Sequence, residues 1–150
     1  MAVRSQLYRD LLFFLKDLIS DNVTDPVSSA RGGSSAFVMT SFPEREVKYP
    51  LITIQINNTS ERSAGLQVGT MDVILTAEIR IWSQSVTQSD QLCQQILDLL
   101  ADNQYTASSG SIANDFHDFN ILSCVRVDEP GQGGVKSRII ELNYRFFNLE

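Results

Sequence analysis

The segment MDVILTAEIRIW, from Met71 to Trp82, constrains the fold more than any other part of the sequence. Its apolar residues take every second position: Met71, Val73, Leu75, Ala77, Ile79 and Ile81. Successive side chains of a β-strand point to opposite faces of the sheet. The alternation therefore predicts a strand with one buried and one wet face, as is typical of antiparallel sheets.

Three other regions predict strands. Leu51–Ile56 (LITIQI) alternates in the same way, and Ser35–Phe42 is a shorter candidate. Residues 120–148 predict a hairpin, because EPGQGG supplies turn residues between two apolar runs. One face of its last strand carries Ile140, Leu142, Tyr144 and Phe146.

Two amphipathic helices complete the pattern. Residues 4–20 place Leu7, Leu11, Phe14, Leu15 and Leu18 on one helical face. A second helix is predicted from a capping box at Thr87 and Asp90 to about Asn103. Its apolar stripe is formed by Leu92, Ile96, Leu99 and Leu100.

Each helix needs an apolar partner, and a sheet face supplies one. The predicted fold is α+β: a mostly antiparallel sheet of about five strands with both helices packed on one face, in the order α-β-β-β-α-β-β. A chain of 150 residues fits a single domain that spans residues 1–150.

A polar stretch, Asn57–Thr70, separates two of the most apolar strands and predicts a loop of fourteen residues. Loops of that length tend to be functional or disordered. Two interpretations remain open: a loop that a neighbouring molecule orders, or a surface insertion that costs little closure entropy.

Composition excludes several classes of protein. A net charge of −6 argues against a general nucleic-acid binder, which shows a basic face. No apolar run approaches the roughly 18 residues of a membrane span, and Lys16 and Asp17 interrupt the apolar start of the chain. We therefore expect a soluble protein that is not secreted and does not contact a membrane.

Few residues have side chains that could take part in catalysis or bind a metal. Cys93 and Cys124 lie in apolar contexts, and we interpret both as buried hydrophobic residues. A disulfide between them is the alternative that remains open. The single histidine, His117, lies between Asp115 and Asp118. The sequence contains no CxxC, no GxSxG and no P-loop, so we expect no catalytic residue, no metal and no cofactor.

Several segments together resemble one family. They are the apolar helix YRDLLFFLKDLI, the strand YPLITIQI, the strand, turn and helix of LTAEIRIWSQSVTQSDQLCQQILDLL, and the terminal hairpin. In this order they resemble the tail terminator (tail-completion, minor tail) proteins of long-tailed bacteriophages and the related head–tail joining proteins. The resemblance covers about residues 4–148.

The resemblance implies a non-enzymatic structural protein of the virion tail or neck, made in the host cytoplasm. It also implies a homo-oligomeric ring, expected to be a hexamer, that caps the tail tube and meets the head–tail connector. DNA would pass through its lumen without sequence-specific binding. The residues predicted to contact a neighbouring subunit or partner are Asn58, Glu61, Arg62, Gln67, Arg31 and Gln132.

Other functions remain open from the sequence. Within the same assembly the chain fits a head-completion protein, a neck adaptor or a tail-tube subunit. Outside it, the alternatives are a small α+β enzyme centred on His117 and a cellular module that binds a peptide on a sheet edge.

Overall fold

The computed structural model describes residues 7–27, 37–41, 48–63, 71–128 and 134–148. Its elements are α1 (Leu7–Asn22), β1 (Val38–Met39), β2 (Leu51–Ser63), β3 (Met71–Ser83), α2 (Val86–Asn103), β4 (His117–Asp128) and β5 (Lys136–Asn148). The predicted order α-β-β-β-α-β-β is confirmed.

The strands form one five-stranded sheet in the order β1-β2-β3-β5-β4. All neighbouring strands are antiparallel except β1 and β2, which are parallel. β3 lies at the centre, which explains why its apolar alternation is the most regular in the chain. The predicted α+β fold with a mostly antiparallel sheet is therefore confirmed.

The core lies between one face of the sheet and the two helices. α1 packs on β1 and β2, α2 packs on β3 and β5, and the helices contact each other. On β3 the predicted apolar positions Val73, Leu75, Ala77, Ile79 and Ile81 are all fully buried. Both amphipathic helices thus bury their stripes against the same side of the sheet.

An aromatic cluster fills one end of this core. Phe116, which is only 1% exposed, lies between α1 and β5. Its ring centroid is 5.8 Å from Phe14, 6.0 Å from Tyr144 and 6.4 Å from Phe146. Tilted rings at these distances are favourable beyond the apolar area they bury. The cluster joins α1, the segment before β4, and β5.

The hydroxyl of Tyr144 is buried within this cluster. Within the described part of the chain, no atom forms a hydrogen bond with its Oη, and burial raises the pKa of Tyr144. Because a buried, unpaired hydroxyl costs free energy, we expect Tyr144→Phe to stabilise the fold by about 1 kcal/mol in urea unfolding. Tyr8→Phe is the control, since the Tyr8 hydroxyl lies 3.1 Å from Thr59 Oγ1 and its removal brings no gain. A loss of stability in Tyr144→Phe would contradict the prediction.

The prediction of a long loop at Asn57–Thr70 is wrong for the first half of this segment. β2 continues to Ser63 and pairs with β3 through a bulge between Ile56 and Asn58. The sequence suggested a loop because Asn, Ser, Glu and Arg have low strand preference, but pairing with a long apolar neighbour overrides such preferences. Residues 64–70 lie outside the described residues.

Other boundaries also differ from prediction, and one of them is the start of β4, which begins at His117 instead of residue 120. α1 ends at Asn22 instead of residue 20, and the part of the first strand that the structure describes is reduced to Val38–Met39. The predicted cap of α2 at Thr87 is wrong, because Ser85 is the N-cap and its Oγ accepts a hydrogen bond from Gln88 N at 3.3 Å. A serine just outside the first turn satisfies a free helical amide in the way a cap requires.

Candidate assembly surfaces

The first candidate surface is the β2–β3 arm, formed by Asn57–Ser63 of β2 and Met71–Thr76 of β3. Three of the residues predicted to contact partners lie on it. In the strand register, Asn58 is paired with Thr76, Glu61 with Val73, and Arg62 with Asp72. The arm is thus a paired hairpin over these positions and not a free loop. The other three predicted residues, Gln67, Arg31 and Gln132, lie outside the described residues.

Two polar contacts fix the arm to the body of the domain. Tyr8 Oη on α1 lies 3.1 Å from Thr59 Oγ1. Arg145 on β5 reaches two carboxylates: its Nε lies 3.1 Å from Asp72 Oδ1 and its Nη1 lies 3.1 Å from Asp118 Oδ2. Asp72 is buried, so the guanidinium balances a charge that has left water. One side chain therefore ties the arm to both β5 and β4.

The second candidate surface is the β4 edge, which the sequence analysis did not single out. β4 is the last strand of the sheet, and no described strand pairs with its outer side. It also exposes four apolar side chains: Ile121 (40%), Leu122 (51%), Val125 (48%) and Val127 (36%). An apolar edge strand is a template for pairing with another chain, which monomeric proteins normally avoid.

A sequence signal for the β4 edge does exist. ILSCVRV, residues 121–127, is apolar on both faces, whereas a strand with one wet face alternates. Cys124 packs against the core, so Val125 and Val127 lie on the opposite face, level with Ile139 and Ser137 of β5. The extra apolar face distinguishes β4 from β3.

The residues weighed for an enzymatic centre serve structural contacts. His117 is the first residue of β4 and lies opposite Arg145 in the strand register. Asp118 accepts a hydrogen bond from Arg145, and Asp115 occupies a turn with a φ of 70°. Among the residues that the structure describes, no group of three metal-ligating side chains is found.

The two cysteines, separated in sequence, lie side by side. Cys93 on α2 is buried, Cys124 on β4 is half-buried, and both are free thiols with their Sγ atoms 3.1 Å apart. Burial, with the neighbouring Cys124 thiol, raises the pKa of Cys93 to about 12. The pair is thus positioned for a disulfide, while Cys93 is a weak nucleophile at neutral pH.

We expect oxidised glutathione to convert this pair into one intramolecular disulfide and to release two molecules of reduced glutathione. The bond would close a loop of about 30 residues and stabilise the fold by about 4 kcal/mol. Glutathione first forms a mixed disulfide with the half-buried Cys124 and releases one reduced glutathione, and the Cys93 thiolate then attacks the Cys124 sulfur and displaces the second. Because this last step requires the Cys93 thiolate, its rate should rise about tenfold per pH unit in the neutral to mildly alkaline range. Thiol titration and intact mass follow the reaction, and Cys93→Ser, which can form only a mixed disulfide, is the control. A rate that does not change with pH would contradict the assignment.

None of the helices in the described ranges is long and apolar enough to cross a membrane.

Comparisons with known proteins add one finding on the fold. No protein-family model matches the chain, and no curated protein matches its sequence. Among solved structures, the chain is similar to one in "Virion of native gene transfer agent (GTA) particle", with 9% identity and a TM-score of 0.50. The similarity covers 87% of this chain and 92% of that chain. The two chains therefore share a fold over nearly their whole lengths.

Proposed function

We propose that this chain is a structural virion protein of the tail terminator class, which forms a ring at the end of the tail tube. One observation carries the proposal: the chain shares its fold, almost from end to end, with a chain of a phage-like virion particle. The resemblance in the order of helices and strands supports the same class. On this proposal the chain has no catalytic role.

The arrangement of exposed strands supports ring formation. β4 lies at one end of the sheet order β1-β2-β3-β5-β4, and β2 lies near the other end. A contact from the β4 edge of one copy to the arm side of the next joins two different surfaces. Such a heterologous contact closes a ring when the rotation from one copy to the next is a whole fraction of a full turn. We propose a ring of six copies. Asn58, Glu61 and Arg62 would then lie within reach of a neighbour.

The remaining proposed partners follow from the position of such a ring. One rim would meet the tail tube protein and the other the head–tail connector. The net charge of −6 suits a lumen through which DNA slides, because phosphates gain affinity from basic side chains. Gln67, Arg31 and Gln132 remain predicted contact residues on this proposal.

Negative-stain electron microscopy of the purified protein, alone and mixed with tail tubes, tests the proposed function. A terminator forms single rings and caps tube ends. Long cylinders from the protein alone would identify a tail-tube subunit. Binding to the head connector with no binding to tubes would identify a neck adaptor instead.

A further inference from the structure

A cleft of about 650 Å³ lies on the helical side of the domain. Its walls are α1, the C-terminal end of α2, and the turns that follow α2. On α1 the lining positions fall three and four residues apart, which makes a second helical stripe beside the core stripe. That stripe consists of Asp10, Phe13, Phe14, Asp17, Leu18 and Asp21.

The wall opposite α1 is a well-formed turn. Asn103 is buried, donates from its Nδ2 to Ser109 O at 3.2 Å, and accepts at its Oδ1 from Ser111 N at 3.1 Å. A Cβ added at Gly110 would lie 2.6 Å from the backbone oxygen of Asn103, so only glycine fits at this position. The cleft therefore has a defined shape on both sides.

The charged residues that line the cleft in the described part of the chain all have one sign. Four of them are aspartates, Asp10, Asp17, Asp21 and Asp102, and no described lining residue is Lys, Arg or His. Neither α1 nor α2 has a basic residue in its last turn. A helix C-terminus carries partial negative charge, which repels carboxylates. Asp21 and Asp102 therefore make the negative potential at these helix ends stronger. Both helices thus place carboxylates where helix stability alone favours cations.

The cleft also has an apolar floor. Phe14, Leu18, Leu99 and Phe116 line it, and the ring of Phe13 is 46% exposed at its side. Long cationic side chains bury their methylene stems on apolar surface and keep their charged ends in contact with carboxylates. An exposed phenyl ring also attracts a guanidinium. Floor and rim together fit lysine and arginine side chains better than a small ion.

We propose that this cleft docks a segment bearing Arg or Lys from a different protein chain. If the proposed function holds, that chain is an adjoining virion protein, so the identity of the partner rests on the proposed function. The preference of the cleft for a basic segment with apolar flanks does not depend on the proposed function.

The net charge of the chain and the ion pairs of its sheet residues favour a different protein over a second copy as the occupant. On the sheet, Arg80, Arg138 and Arg145 already form ion pairs with carboxylates of their own chain. Lys136 and Arg126 lie within 4.0 Å of Asp128. A net charge of −6 on each copy also opposes contact through an acidic surface.

Fluorescence anisotropy with the full chain and a short labelled helical peptide tests the proposal. The peptide repeats Arg one helical turn apart with Leu between, and its twin has Gln for Arg. The test variant is Asp17→Asn/Asp102→Asn, and the control is Asp128→Asn/Glu141→Gln on the distant strands β4 and β5. Both variants remove the same charge. The test variant should also keep its fold, because both carboxylates are exposed and Asp102 opposes the C-terminal end of the α2 dipole.

We expect the Arg peptide to bind about tenfold more weakly to the test variant and equally well to the control variant. The Gln peptide should not bind. Equal weakening by both variants would show attraction by net charge alone and overturn the proposal, as would no binding to the native chain. Sedimentation without peptide separates the outcomes further: self-association lost only in the test variant would make a second copy the occupant. Peptide binding by a chain that never forms rings would contradict the proposed function and leave the cleft assignment intact.

Discussion

Val125→Lys/Val127→Lys should abolish ring formation while leaving the domain folded. Both side chains lie on the β4 edge, 48% and 36% exposed, so the isolated domain does not depend on burying them. In the proposed ring a neighbouring copy covers them, and two ammonium groups would then have to leave water without partners. We expect subunit affinity to fall about 100-fold or more, a change of about 3 kcal/mol. Sedimentation velocity measures the loss of rings.

A matched variant shows whether the position matters. Tyr105→Lys/Ile112→Lys also replaces two exposed apolar residues, 81% and 38% exposed, but in the segment between α2 and β4. It adds the same charge and should leave rings intact. In both variants the free energy of unfolding should change by no more than about 0.5 kcal/mol, as for most surface substitutions. Rings that survive in Val125→Lys/Val127→Lys would remove the β4 edge from the interface.

Phe116→Ala should cost about 3–5 kcal/mol of folding free energy, the largest loss of stability that we predict. Phe116 is 1% exposed and its ring packs on Phe14, Tyr144 and Phe146. Its removal leaves a cavity at the point where α1 and β5 meet the segment before β4. β5 is held between β3 and β4 in the sheet, so it is poorly placed to move into the cavity. Urea unfolding followed by circular dichroism gives the free energy.

Phe13→Ala is the control for the aromatic cluster. Phe13 precedes Phe14 on α1 but points away from the cluster and is 46% exposed. We expect its loss to cost no more than about 1 kcal/mol. Similar losses in the two variants would mean that Phe116 contributes by bulk hydrophobicity and not by filling the cluster.

The sequence predicts an element well where its pattern and its environment agree. β3 is central in the sheet, so its alternate apolar positions from Val73 to Ile81 are buried, and its predicted start at Met71 is confirmed. The polar end of β2 is different, because its strand conformation depends on pairing with residues 71–76. The strand preferences of its own residues do not include the effect of that partner. Phe116 lies in a mostly polar stretch of sequence, and its burial depends on the rings of Phe14, Tyr144 and Phe146, which come from distant segments.

Surfaces are harder to predict than the core. Asn58, Glu61 and Arg62 are predicted contact residues within the Asn57–Thr70 loop, and the structure places them on a paired arm. The sequence alone does not predict the β4 edge or the acidic cleft, although the apolar run ILSCVRV is present in it. Its exposure depends on β4 being the last strand in the sheet. The cleft arises only when Asp102 of α2 meets the aspartate stripe of α1.

The mass of the purified protein in solution, measured by sedimentation equilibrium over a wide range of concentrations, tests the ring proposal most directly. The account predicts a closed assembly of six chains of 16.8 kDa each that does not grow further as concentration rises. A mass of one chain at every concentration, with no assembly on added tail tubes, would contradict it.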